Sequence, residues 1–277
     1  MFLRVATPEF GAWALIEIRI VIAVLFLLPI WIVREAKTAK TSLWPNWFPI
    51  AVVGVINSAI PWVLFAYATL YITGGYASIL NATVPIWGAL VAWMWLGKKP
   101  GFDSSMGLVV GILGVVILVW GSLNSLTMDI SLGIAAGLIG SVLYGVAANY
   151  SGAKLSNVPP LTISTFSLVA AAIILLPLAI IYYPTQEIST DAWLAVLAMA
   201  VLSTGFALIL YFRLIANIGA GKAMTVTFLI PVFGTFFGAV FLDEQVTMEM
   251  VIGTMVILTG TALVMGVVRF RGKRRNA

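Results

Sequence analysis

The chain contains no cysteine and no histidine. Without thiols, disulfides and thiolate nucleophiles are excluded; without imidazole, so are histidine metal sites and histidine acid–base catalysis. Charge is scarce as well: 9% of the 277 residues are charged, against 62% hydrophobic, and the mean hydropathy is +1.10. A water-soluble domain of this length cannot cover its surface with so few charges, so most of the chain faces lipid. A membrane enzyme acting on lipid-linked substrates would have little with which to do chemistry. The expectation is therefore no catalytic residue, no metal and no cofactor. The net charge of +5 does not point to nucleic acid, because the basic residues sit in short segments between apolar runs and form no stripe.

Nine apolar runs of about 20 residues, the length that crosses a hydrocarbon core, lie near 12–33, 47–71, 75–96, 104–121, 131–150, 160–183, 192–212, 221–242 and 248–268. Backbone amides in lipid must be satisfied internally, and unbroken runs lack the alternation of barrel strands, so an all-α polytopic membrane protein is expected. The connections alternate in charge. Arg34, Lys37 and Lys40, then Lys98 and Lys99, Lys154, Arg213 and Lys222, and a tail at 269–277 with five basic residues follow the odd-numbered runs. The other connections carry Asp129, Glu187, Asp191, Asp243, Glu244 and Glu249 with no lysine or arginine. The positive-inside rule then places the C-terminus and its basic tail in the cytoplasm and the first run from outside to inside, as in an inner (plasma) membrane protein. Trp44, Trp47, Trp93, Trp95, Trp120, Tyr182, Tyr183 and Trp193 fall near run ends, where aromatic rings favour the headgroup region.

The chain repeats itself in outline. "NATVPIWGALVAWMWLGKKP" (81–100) and "TFLIPVFGTFFGAVFLDEQV" (227–246) align with Pro85 and Pro231 146 positions apart. In that frame Ala77 meets Ala223, Gly88 meets Gly234, Leu96 meets Leu242, Gly107 meets Gly253 and Gly114 meets Gly260. Lys98 meets Glu244. Opposite charge at one structural position is what the positive-inside rule requires if one copy is inserted upside down. Two inverted-topology repeats, 1–121 and 130–268, with a cavity between them, are a transporter construction. Pro29 and Pro177 pair in the same way at an offset of 148, and on that frame the run at 131–150 has a partner beginning before residue 1. The expectation is four plus five helices as given and five plus five in a longer chain, with "MFLRVA" as the tail of the missing helix.

Five plus five inverted helices, a proline in the fourth helix of each half, and a charged turn before a glycine-patterned fifth helix resemble the EamA-type transporters of the drug/metabolite transporter superfamily. The stretches that carry the likeness are "ASILNATVPIWGALVAWMWLGKKP" with "GLVVGILGVVILVWG", "AMTVTFLIPVFGTFFGAVFLDEQVT" with "GTMVILTGTALVMG", and "FLRVATPEFGAWALIEIR". The resemblance implies movement of small metabolites, amino acids or drugs, without naming the substrate.

Candidate substrate-binding residues follow from the cost of polar groups in lipid. Arg19 and Glu17 interrupt the first run at about 2.5–3.5 kcal/mol each near a helix centre. Arg19 either binds a substrate carboxylate or anchors helix packing; Glu17 either takes up a proton or cation or reaches the outer interface. Two positions apart, they do not share a helix face. Asn57 and Asn81, with Thr227 as the repeat counterpart of Asn81, either hold a polar solute or bond between helices. Tyr144 and Asn149, with Trp87 and Tyr67, are candidates for an aromatic-walled pocket. Pro85 and Pro231 bend their helices, as gates or as static kinks. Gly107 with Gly111, Gly133 with Gly137, and Gly234 with Gly238 are spaced for close helix contact. A sensor or interaction protein without transport is the remaining alternative, weakened by the lack of a soluble sensory domain. The partners expected are a small-molecule solute and the lipid bilayer.

Overall fold

The computed structural model describes residues 1–36, 42–121, 127–207, 210, 214, 217 and 224–268. Lys37, Lys40, Arg213, Lys222, Ala223 and the basic tail 269–277 lie outside the described residues. Six helices are long and apolar enough to cross a membrane: α1 (Phe2–Arg34), α2 (Trp44–Tyr71), α3 (Gly74–Leu96), α4 (Phe102–Gly121), α5 (Met128–Lys154) and α6 (Pro160–Ile181). Three shorter apolar helices follow, α7 (Thr190–Phe206), α8 (Val226–Leu242) and α9 (Met248–Val264). Each of the nine apolar runs contains helix among its described residues, and no strand occurs among the described residues.

The chain marks its helix starts differently at its two ends. Where connections without lysine or arginine lead into a helix, a hydroxyl caps it: Thr73, Thr127, Ser189 and Thr247 accept from the backbone N–H three residues on, of Tyr76, Ile130, Ala192 and Met250. Each such cap contributes about 1 kcal/mol. Where basic connections lead in, α2 and α6 carry a proline in the first turn, whose missing N–H costs nothing there. The interfacial aromatics are exposed, Trp44 by 75% and Trp120 by 71%, as rings at a headgroup boundary should be.

α1 begins at Phe2 instead of near residue 12 because it contains a bend. Gly11 has φ 70° and ψ 163°, a left-handed backbone that glycine adopts without strain. Residues 2–10 are thereby turned against their neighbours: Arg4 donates to the carbonyls of Thr69 and Leu70, and Glu9 accepts from the N–H and hydroxyl of Ser189, both at 2.7 Å.

Several local features recur at the sequence offset. α3 ends on Gly97 in the left-handed region (φ 65°) and α8 on Asp243 (φ 51°), 146 positions later. The N–H of Lys98 bonds the carbonyl of Ala92 and the N–H of Glu244 bonds that of Gly238, both at 3.1 Å and again 146 apart; this is the closure of a left-handed helix cap. α2 and α7 each contain a π-helical turn, Gly54–Ala59 and Val201–Phe206, 147 positions apart. Both proline helices are irregular just before the proline: α3 breaks at 82–83 ahead of Pro85, and a 3₁₀ turn, Met224–Phe228, precedes Pro231. A proline clashes with the carbonyl four residues back and offers it no N–H.

Counterpart helices pack antiparallel. Along α4 and α9, Ser104 bonds the carbonyl of Val264 at one end, while Gly121 abuts Glu249 at the other. The backbones nearly touch: a methyl group added to Gly107 would lie 2.6 Å from the carbonyl oxygen of Gly260, and one added to Gly114 would lie 2.7 Å from the N–H nitrogen of Ile257 and 3.2 Å from the carbonyl oxygen of Gly253. The Gly107–Gly260 and Gly114–Gly253 contacts exchange under the 146-residue offset. α3 and α8 also run antiparallel, with Gly74 beside Glu244 and Ser78 beside Gly234.

The buried apolar residues form two principal clusters. One joins α1, α6 and α7 with the middle of α2; the other joins α3, α4, α5 and α9 with its end.

Candidate functional site

Between these clusters lie three confluent cavities of about 550, 520 and 260 Å³. Asn57 and Ala148 line the first and second, Arg19 and Trp62 the second and third, and Asn81, Tyr144 and Ile230 the first and third. They make one central space walled by α1, α2, α3, α5, α6, α7 and α8. Toward the end that carries Lys98 and Lys154 it extends to Asn149, Val264 and Met265.

Arg19 reaches this space from α1. Its Nε and Nη2 both donate to the Thr204 hydroxyl at 3.2 Å, and its guanidinium lies 3.8 Å over the Trp62 ring. The hydroxyl in turn donates to the carbonyl of Met199 at 3.2 Å, in the π-turn of α7. Stacking on a desolvated indole stabilises a cation by about 2 kcal/mol, but neither partner is an anion. Among the described residues no carboxylate forms an ion pair with Arg19.

The broken stretch of α3 forms a second wall, and neighbouring hydroxyls add bonds to its carbonyls. The Leu80 carbonyl accepts from Ser141 at 2.9 Å and from Thr83 at 2.6 Å; the Ala82 carbonyl accepts from Thr261 at 3.2 Å. Asn149 donates to the Gly88 carbonyl at 2.8 Å, just past the proline. Such bonds between membrane helices are worth about 0.6–1 kcal/mol each. They hold a bend that no continuous helix would adopt.

The opposite end carries a latch. Glu244 accepts from the backbone N–H groups of Gly74 at 2.8 Å and Gly75 at 3.1 Å, the first turn of α3, and lies 3.9 Å from the Arg4 guanidinium. A carboxylate is favoured at a helix N-terminus by the unpaired N–H groups and the helix dipole. Its side chain is only 8% exposed, because Gly238 has no side chain to displace it: a methyl there would collide with the carboxylate. Beyond this latch lies a separate depression of about 470 Å³, lined by Tyr71, Tyr76, Asp243 and Glu249.

The candidates read from the sequence therefore divide. Arg19, Asn57, Asn81, Tyr144, Asn149, Thr227 and Pro85 converge on the central space. Glu17 does not: it is buried against α6 in a cleft with Leu176, Ile180 and Tyr183, and its Oε2 has no hydrogen-bond partner among the described residues. Trp87 is turned to brace the broken stretch, donating to the Thr83 hydroxyl at 2.9 Å. Tyr67 packs on Tyr71, and Pro231 is buried within α8. Trp62 and Thr204 escaped the sequence reading. Thr204 was discoverable, since it faces Asn57 across the π-turn offset; Trp62 carried no signal among ten tryptophans.

Comparison with known proteins agrees with this architecture. The EamA-like transporter family matches residues 1–120 and again 131–266. The chain is 26% identical over 199 residues to the uncharacterized transporter YoaV of Bacillus subtilis, covering 71% of this chain and 68% of that protein. It is 24% identical over 253 residues to the uncharacterized transporter YvbV of the same organism, covering 89% and 80%. A solved crystal structure superposes with a TM-score of 0.65 at 18% identity, over 93% of this chain and 88% of the other.

Proposed function

Because the chain belongs to the EamA-like transporter family, and is thus a multi-pass membrane transporter, we propose that it carries a small organic solute through the central space by alternating access. In this reading residues 1–121 and 130–268 are two halves inserted in opposite orientations in the inner membrane, with the C-terminus in the cytoplasm. The Glu244 end faces outside, where the acidic connections lie, and the Lys98 end faces the cytoplasm. The observation that carries the reading is a largely apolar central space lined at a few points by Arg19, Asn57, Asn81 and Asn149, extending toward one end of the bundle and latched at the other.

Arg19, Asn57, Asn81, Tyr144, Asn149 and Thr227 contact the solute. The bends at Pro85 and Pro231 are the hinges, since the unwound stretches before them have no regular ladder to break. Moving α3 against α8 opens the latch and closes the other end, while the glycine seam of α4 and α9 serves as the pivot. Trp87 acts through Thr83 and Glu17 lies apart, so neither binds solute.

Counterflow in proteoliposomes tests the proposal. Solute-specific exchange of label, unaltered in chemical form, is the expected result; chemical conversion of the solute, or no exchange with any solute, overturns it.

A further inference from the structure

Among the described residues, Arg19 is the one cationic side chain lining the central space, and no carboxylate lines it. A guanidinium has five N–H donors, and the Thr204 hydroxyl accepts two of them. The acid nearest in sequence, Glu17, faces α6 in its own cleft, and among the described residues no acid balances the charge of Arg19. An unpaired cation within a membrane span is costly, and it persists where it faces a cavity that brings it a partner.

We propose that this partner is the solute itself, and that the transporter selects small organic monocarboxylates. The inference rests on the transport reading above. A carboxylate seated on Arg19 beside Trp62 and Thr204 matches the fork of the guanidinium. Around that seat are the hydroxyls of Ser58, Ser164, Ser167 and Ser203, which solvate the remaining oxygen lone pairs. Farther on, Val84, Pro85, Ala89 and Ile230 offer an apolar wall to the body of the solute. At this seat the guanidinium of Arg19 balances one negative charge, so a phosphate dianion there carries one charge too many. An ammonium group finds no carboxylate, which disfavours amines and makes a zwitterion weaker than the matching deaminated acid.

A matched set of probes on one skeleton tests this: 3-phenylpropionate, its amide, phenylalanine and phenethylamine, with an aliphatic set of the same four classes and inorganic phosphate as competitor. In proteoliposome counterflow the acids are expected to exchange at least about tenfold faster than the amides and amines, the factor one charge-assisted contact supplies. Phosphate is expected not to compete. Arg19→Gln should erase the acid-over-amide preference and Arg19→Lys should retain part of it. If Arg19→Gln does not fold, Thr204→Val and Trp62→Leu, which leave the guanidinium but remove its supports, must lower the preference. Equal exchange of acid and amide, equal exchange of phenylalanine and phenylpropionate, competition by phosphate, or a preference unmoved by these variants overturns the monocarboxylate assignment while transport stands. No exchange by any member of either set overturns both.

Discussion

The turns at 97–99 and 243–245 are built alike and behave differently. Both follow a proline-broken helix, both cap it with a left-handed residue, and both close it with the same backbone bond. Yet Glu244 is drawn in against the first turn of α3, whereas Lys98 and Lys99 are exposed, with no ion pair among the described residues. The difference resides in side chains laid on one repeated backbone. Where the latch forms, the chain has Gly238; at the counterpart position it has Ala92, and no carboxylate needs the room. Very few residues thus build a latch at one of two like turns and leave the other without one.

Substitutions can break or sharpen that contrast, beginning with the seam both ends share. Gly260→Leu drives a side chain into the backbone of Gly111 and Gly107; overpacking of this kind costs about 3 kcal/mol, and detergent-stability assays should show the largest loss of folded protein. Next comes Glu244→Gln, which removes the charge that holds two N–H groups and faces Arg4. A loss of about 2 kcal/mol moves the balance between the two ends about 30-fold. With no native cysteine, a single Ser78→Cys reports it, and labelling at that site from the Glu244 side should accelerate. Gly238→Ala should do the same by displacing the carboxylate. Slow labelling in both variants would remove the latch from the mechanism.

A smaller effect is expected at the bend. Ser141→Ala and Thr261→Val each take away one bond to a carbonyl of the broken stretch of α3, at about 0.6–1 kcal/mol, and should lower thermal stability modestly. The smallest is at the other turn: Lys98→Gln should leave stability within about 0.5 kcal/mol. A large loss there would mean that the two ends are more alike than the packing indicates.

The order and approximate positions of the helices are legible in the sequence because lipid imposes them. The nine runs and the proline frame follow from what an unsatisfied backbone costs in hydrocarbon. Which face each helix turns inward is not. In a water-soluble bundle polarity marks the outer face, but here the lipid face and the packed face are both apolar. Glu17 was therefore grouped with Arg19 as a site residue, and only the packing puts it against α6. Trp87 looked like a cavity wall for the same reason. The cation–π contact of Arg19 with Trp62 and the embrace of Gly74 and Gly75 by Glu244 join distant segments, and no local pattern encodes them. The likeness of Lys98 to Glu244 in frame, by contrast, led directly to the two turns whose difference matters most.

That frame is also where the account is most exposed. Single cysteines at Lys98 and Gln245, both exposed turn positions, can be labelled with a membrane-impermeant maleimide in intact cells and in inverted vesicles. Labelling of position 245 only in cells and of position 98 only in inverted vesicles is predicted. Labelling of both from the same face would contradict two halves lying head to tail across the membrane.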